Sequence, residues 1–289
     1  QLREIDVVSQ FTAIDGSSLM EDPTLSVVNT PSAAHRQIWL NTRRGLFEDR
    51  RLRQAVAWAM DRSTALSDIA GGRGALGNDH PVRSGLGSMP FFDPGAIGQR
   101  SHDIDRAAGL VADAGAQSTT TVLRTNELPD ARALAEIVAR SVRDVGLTVE
   151  VESEPGDTFY RDTWCPIDEE GRGGCVGSAE FGIIEYEHQA LPDVAIGRGF
   201  VTDGAWNASN YSNPDLDRLF VQYQRSVDLE DQRRSIGQIQ AILWSDVPAI
   251  VPYFGTLKVL RTSAMPSRTS LKVGSRRPVI AFLISSVTL

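Results

Sequence analysis

Residues 119–151 carry the pattern that most narrows the fold. The run TTTVLRT at 119–125 is β-branched and apolar, as a strand requires. Leu134, Ile137, Val138, Ser141, Val142 and Val145 then recur on one face at the helical period, and Gly146 ends that helix. Leu147, Val149 and Val151 alternate as a second strand. A strand, a crossover helix and a returning strand make the two strands parallel and the crossover right-handed. The chain is therefore α/β, with a mixed sheet and flanking helices. Ligands gather outside the carboxyl ends of such strands, which places Thr125, Asn126 and Glu127 beside a cleft.

The rest of the chain supplies the flanking helices. Residues 49–62 place Leu52, Ala55, Val56, Ala59 and Met60 on one face, and Asp61 or Ser63 starts a short helix to Ile69. Asp103 caps a helix that stops at Gly115. Asn213 and Pro214 open another, with Leu216, Leu219, Phe220 and Tyr223 inward. Asp228 opens the next, carrying Ile236, Ile239, Ile242 and Leu243, and Pro248 ends it before a strand of Ile250, Val251, Tyr253 and Phe254. Strands are also expected at 5–8, 37–40 and 179–186, and residues 77–99, rich in Gly and Pro, read as a long ordered loop.

Composition excludes several classes. A net charge of −8 argues against a nucleic-acid surface. No apolar run approaches the ~20 residues of a membrane span, and the apolar residues 278–289 read as a closing core strand. Arg50, Arg51, Arg53 and Arg62 suggest phosphate contacts, but in an acidic protein such a run is more commonly a solvated, ion-paired face. Gly71, Gly72, Gly74 and Gly77 lack the dinucleotide-binding spacing, and nothing calls for a cofactor.

Three stretches resemble one family in its own order. IWLNTRRGLFEDRRLRQAVAWAMDR at 38–62, DIDRAAGLVADAG at 103–115, and NYSNPDLDRLF followed by VPAIVPYF within 210–254 are similar to the family 5 extracellular solute-binding proteins. Those proteins are the peptide, nickel and oligosaccharide receptors of ABC importers. The resemblance implies a periplasmic-binding-protein-like fold in which residues 44–254 form the second lobe, while 1–43 and 255–289 are the remnant of a first lobe. It also implies a longer portion before residue 1, with a membrane anchor, in a periplasmic or extracellular protein that serves a membrane permease. An oligopeptide is the implied solute. Asn126, Tyr160, Glu185 and Trp206 should then lie on an open surface, and residues 1–43 and 255–289 should favour self-association.

The family's acidic residue at the exit of the strand 179–186 points here to Glu185, Glu187 or Asp193, although EYEHQALPD replaces the usual tryptophan and D-Y-x-x-P run. Tyr160, Trp164 and Trp206 offer aromatic faces to apolar or sugar surface. Cys165 and Cys175 enclose a glycine-rich loop that closes easily, and an exported receptor works where disulfides persist. Two free thiols are the alternative. A metal site is poorer still, because His35, His80, His102 and His188 show no ligand spacing with the cysteines.

Two other functions compete with a solute receptor. One is the sensing domain of a regulator, which the upstream sequence would reveal as a signal peptide or a helix-turn-helix. The other is a hydrolase, for which G-x-S-x-G, H-E-x-x-H and a clear Cys-His arrangement are all missing.

Overall fold

The computed structural model describes residues 7–9, 12–14, 16–85, 90–166 and 175–262, and the side chains of all but 7–9 and 260–262. Strands β1 (Val7–Ser9), β2 (Leu25–Leu40), β3 (Ala75–Leu76), β4 (Thr119–Asn126), β5 (Leu147–Glu154), β6 (Phe181–Tyr186), β7 (Ala249–Ile250) and β8 (Tyr253–Thr262) form one sheet. Its order is β1-β8-β2-β6-β4-β5, with β3 paired to β8 and β7 to β2. β4 runs parallel to β5, from Thr119 opposite Leu147 to Asn126 opposite Glu154, and parallel to β6. The remaining ladders are antiparallel, so the sheet is mixed.

Seven helices of eight residues or more accompany the sheet among the described residues: α1 (Arg50–Ala59), α2 (Arg62–Ala70), α3 (Ile104–Asp113), α4 (Pro129–Arg143), α5 (Pro192–Gly199), α6 (Pro214–Arg225) and α7 (Leu229–Asp246). The helix expected over 49–62 ends at Ala59, and the short helix expected from Asp61 or Ser63 runs Arg62–Ala70. The Asp61 side chain accepts the Thr64 N–H and Thr64 Oγ1 hydrogen, so it caps a new helix and the first one stops. Asp49, Asp103, Asn213 and Asp228 cap α1, α3, α6 and α7 through their side chains.

Two strands differ from the sequence reading. β2 is 16 residues long, not a short strand near 37–40, because its register against β8 shifts between Pro31 and His35 and so absorbs the proline. The strand expected from Ile250 to Phe254 is broken after Ile250, and β8 then runs on to Thr262. The closing strand at 278–289 lies outside the described residues.

Three apolar clusters fill the layers. The largest joins α1 to α4 with the sheet through Leu52, Val56, Leu134, Val138, Leu123 and Ile183. A second binds α5, α6 and α7. The third surrounds Trp39, Phe159 and the disulfide that joins Cys165 to Cys175. Gly182 has a steric reason to be glycine: a side chain there would run into the Trp39 ring and the Arg124 carbonyl.

Candidate functional site

A cleft of about 450 Å³ opens where β2 changes register. Its walls come from β2 and β8, the exit of β6, the end of α2 and the start of α4. The two helices are bounded here by their own sequence: α2 ends in a left-handed Gly71, and Pro129 opens α4.

Arg36 on β2 is central. Its Nε and Nη2 donate to Asp130 Oδ2 at 2.8 and 2.6 Å, and Nη1 lies 3.1 Å from Glu185 Oε2. The second contact is an ion pair without hydrogen-bond alignment. Burial works to lower the Arg36 pKa, but the charges of Asp130 and Glu185 outweigh it and hold the guanidinium above its ordinary value. Asp130 sits in the first turn of α4, where the helix dipole favours a carboxylate, and its Oδ1 accepts the Ala131 N–H at 3.0 Å.

Glu185 is held from behind. Tyr160 donates its hydroxyl hydrogen to Oε1, and Asn126 Nδ2 donates to Oε2 at 3.0 Å. Trp164 meets the Tyr160 ring edge to face at 5.9 Å and fixes its angle. Asn126, Tyr160 and Trp164 thus support Glu185, which lines the cleft, whereas they do not line it themselves. Glu187 and His188 follow on the cleft wall. The Ala33 N–H donates to His188 Nδ1 at 2.9 Å, so that nitrogen is the acceptor and the neutral ring carries its hydrogen on Nε2. His35, also on the wall, has its pKa lowered to about 4 by burial.

Three candidates lie elsewhere. Asp193 accepts the Tyr223 hydroxyl hydrogen at 2.8 Å and ties α5 to α6, so its charge is spent inside that pair. Trp206 packs on Tyr186 at 5.8 Å under the Arg198 guanidinium, outside the cleft lining. Glu127 is exposed beyond β4 and also outside the lining. The expected open surface is corrected as well: Asn126 is 2% exposed, because Glu185 and Tyr160 cover it, and Tyr160, Glu185 and Trp206 are half-buried.

Arg36, Asp130, His35 and Lys258 were not singled out by sequence. Arg36 and Asp130 are 94 residues apart and meet only through the sheet. The one available signal was a charged residue inside an otherwise apolar strand run, HRQIWL.

Comparison with known proteins agrees with this architecture. The glutathione-binding protein GsiB of Pectobacterium atrosepticum is 22% identical over 242 residues, which are 80% of this chain and 44% of that protein. The periplasmic binding protein DppA from Helicobacter pylori, solved with the peptide STSA, shares the fold with a TM-score of 0.76 at 18% identity, over 90% of this chain and 49% of its own. NikZ from Campylobacter jejuni, solved with Ni(L-His), gives 0.73 at 16%, over 90% and 52%. The chain spans about half the length of these relatives. No helix among the described residues is long and apolar enough to cross a membrane. The pattern of the bacterial extracellular solute-binding proteins, family 5 Middle, matches residues 1–168, more than half of the 289, and the chain belongs to that family.

Proposed function

We propose that this chain is the cleft-bearing part of an ABC importer's solute-binding component and that it captures short peptides, without chemical conversion, for a membrane permease. The observation that carries the reading is the excess of carboxylate at the cleft. Asp130 and Glu185 share one guanidinium, and the exposed Glu187 stands beside them. A peptide's terminal ammonium is the complementary group. Residues 44–254 act as one lobe in this reading. The part of β2 before the register shift and the residues from 255 on belong to the other, supported by the ladder in which Leu25 to Pro31 pair with Thr262 to Thr256. His35–Leu40 pair with β6 and go with the 44–254 lobe, so the first boundary falls before residue 43. The register shift between Pro31 and His35 is then the hinge about which the lobes close. The whole protein works in the periplasm or outside the cell, tethered to the membrane by a segment beyond this chain.

Backbone NMR titration of the chain tests the reading. Trialanine should shift the amides of residues 185–188 and 130–131 with a Kd on the order of 1 mM, because one lobe supplies only part of the enclosure. N-acetyl-trialanine should bind at least about tenfold more weakly, for want of the ammonium. Equal binding of the two would overturn the peptide-terminus reading.

A further inference from the structure

The cleft holds a second cation, Lys258, whose circumstances are the reverse of those of Arg36. Lysine is seldom buried without a partner, since an ammonium taken out of water loses hydration that something must replace. Lys258 on β8 is 6% exposed, yet among the described residues it makes no hydrogen bond and no ion pair. Its side chain lines the cleft. Arg36, by contrast, is already divided between two carboxylates. Asp130 and Glu185 keep one negative charge in excess of that guanidinium, which is the ammonium site of the reading above. The remaining cation and the open cleft fit one another.

We infer that Lys258 receives the anionic end of the bound solute, a carboxylate, opposite the acidic exit of β6; this rests on the peptide reading above. The solute class narrows to zwitterions with separated charges. Lys258 lies four residues along β8 from Phe254, which pairs with His35 as Tyr186 does, so roughly 13 Å of strand separates it from the exit of β6 before both side chains reach inward. A short peptide, at roughly 3.5 Å per residue, spans that distance. Burial lowers the Lys258 pKa, Arg73 adds to the effect and Asp130 opposes it, and a carboxylate beside the ammonium would offset that burial.

The chain is well suited to a direct test, because Lys258 and Lys272 are its only lysines. Reductive ¹³C-methylation of the 289-residue chain would give two lysine signals and one from the N-terminus, with Lys258 assigned by its loss in Lys258→Met. Acetate and trialanine should shift that signal and raise its titration midpoint, while trialaninamide, which lacks the carboxylate, should leave it in place. Lys258→Met should weaken trialanine roughly tenfold and trialaninamide not at all. Its melting temperature should hold or rise, since a thioether replaces an unpaired ammonium. A Lys258 signal indifferent to acetate and trialanine, or undiminished trialanine binding by Lys258→Met, would overturn the assignment. A response to inorganic phosphate and not to acetate would overturn the carboxylate and point to a phosphorylated solute. A response to acetate with no trialanine shifts at 185–188 would leave Lys258 as the anion site and remove the peptide reading instead.

Discussion

Two arginine–carboxylate clusters in this molecule use the same chemistry to opposite ends. In the first, Arg62 and Arg100 share Asp79 at 2.6 to 2.8 Å, and all three side chains are at most 4% exposed. Arg62 also donates to the Ala57 carbonyl and Arg100 to that of Trp244, and Arg100 lies between the rings of Trp58 and Trp244. In the second, Asp130 and Glu185 share Arg36, with side chains 10 to 23% exposed and the cleft in front of them. The first has one positive charge in excess and gives it to carbonyls and aromatic faces. The second has one negative charge in excess and presents it to a space that a solute can enter. Buried charge closed on itself holds loops to helices, and charge left open at a wall is free to pair with a group that enters the cleft, as the proposed peptide reading requires.

The sharpest way to break that comparison is Asp79→Asn. Asp79 has a φ of +63°, which asparagine tolerates, so the substitution removes the charge and leaves the turn. Two buried guanidinium groups would lose their counter-charge, at a cost of about 3–5 kcal/mol, read as a lower denaturant midpoint. A loss below about 1 kcal/mol would mean that the cluster is hydrated.

Each region also buries one histidine whose pKa is lowered to about 4 by burial, His80 next to Asp79 and His35 at the cleft. A folded pKa below the unfolded 6.5 means that the unfolded chain binds more protons between the two values. Stability is therefore present above about pH 6.5 and is lost as pH falls toward 4, by up to about 1.4 kcal/mol per pH unit for each ring. Urea midpoints at pH 7.5 and 5 should show this loss, and His35→Asn and His80→Asn should each remove part of the slope. An unchanged slope in both variants would assign the pH dependence to other groups.

Glu185→Gln should cost only about 1–2 kcal/mol of stability in a thermal melt, because Arg36 keeps Asp130, yet it should clearly weaken trialanine. A stability loss as large as that of Asp79→Asn would erase the distinction between the clusters. The smallest effect is expected at Asp193→Asn: about 0.5–1 kcal/mol from a weakened hydrogen bond with Tyr223 and no change in ligand titration.

Helices were legible wherever a cap and a 3.6-residue period coincided, as from Asn213 to Tyr223, and the parallel pair β4 and β5 followed from its alternation around a helix. β2 was not, because Pro31 ordinarily argues against a strand, and only the pairing with β8 shows the shift in register that accommodates it. At the site, Glu185, Asn126 and Tyr160 were nameable from their place at strand ends, but their division of labour was not. Asp193 and Glu187 look alike in sequence. Tyr223, 30 residues on, takes one of them away from the cleft, and no local pattern encodes that.

The two outer strands of the sheet also set how copies of this chain can meet. Along β5, Glu150 and Glu152 are exposed and Glu154 is half-buried, and Arg124 neutralises the latter two only in part. A second β5 laid alongside would bring like charges together at every other residue. Among the described residues β1 ends the sheet on the other side, with Val7, Val8 and Ser9. On the β5 side, then, charge opposes extension of the sheet by a second copy.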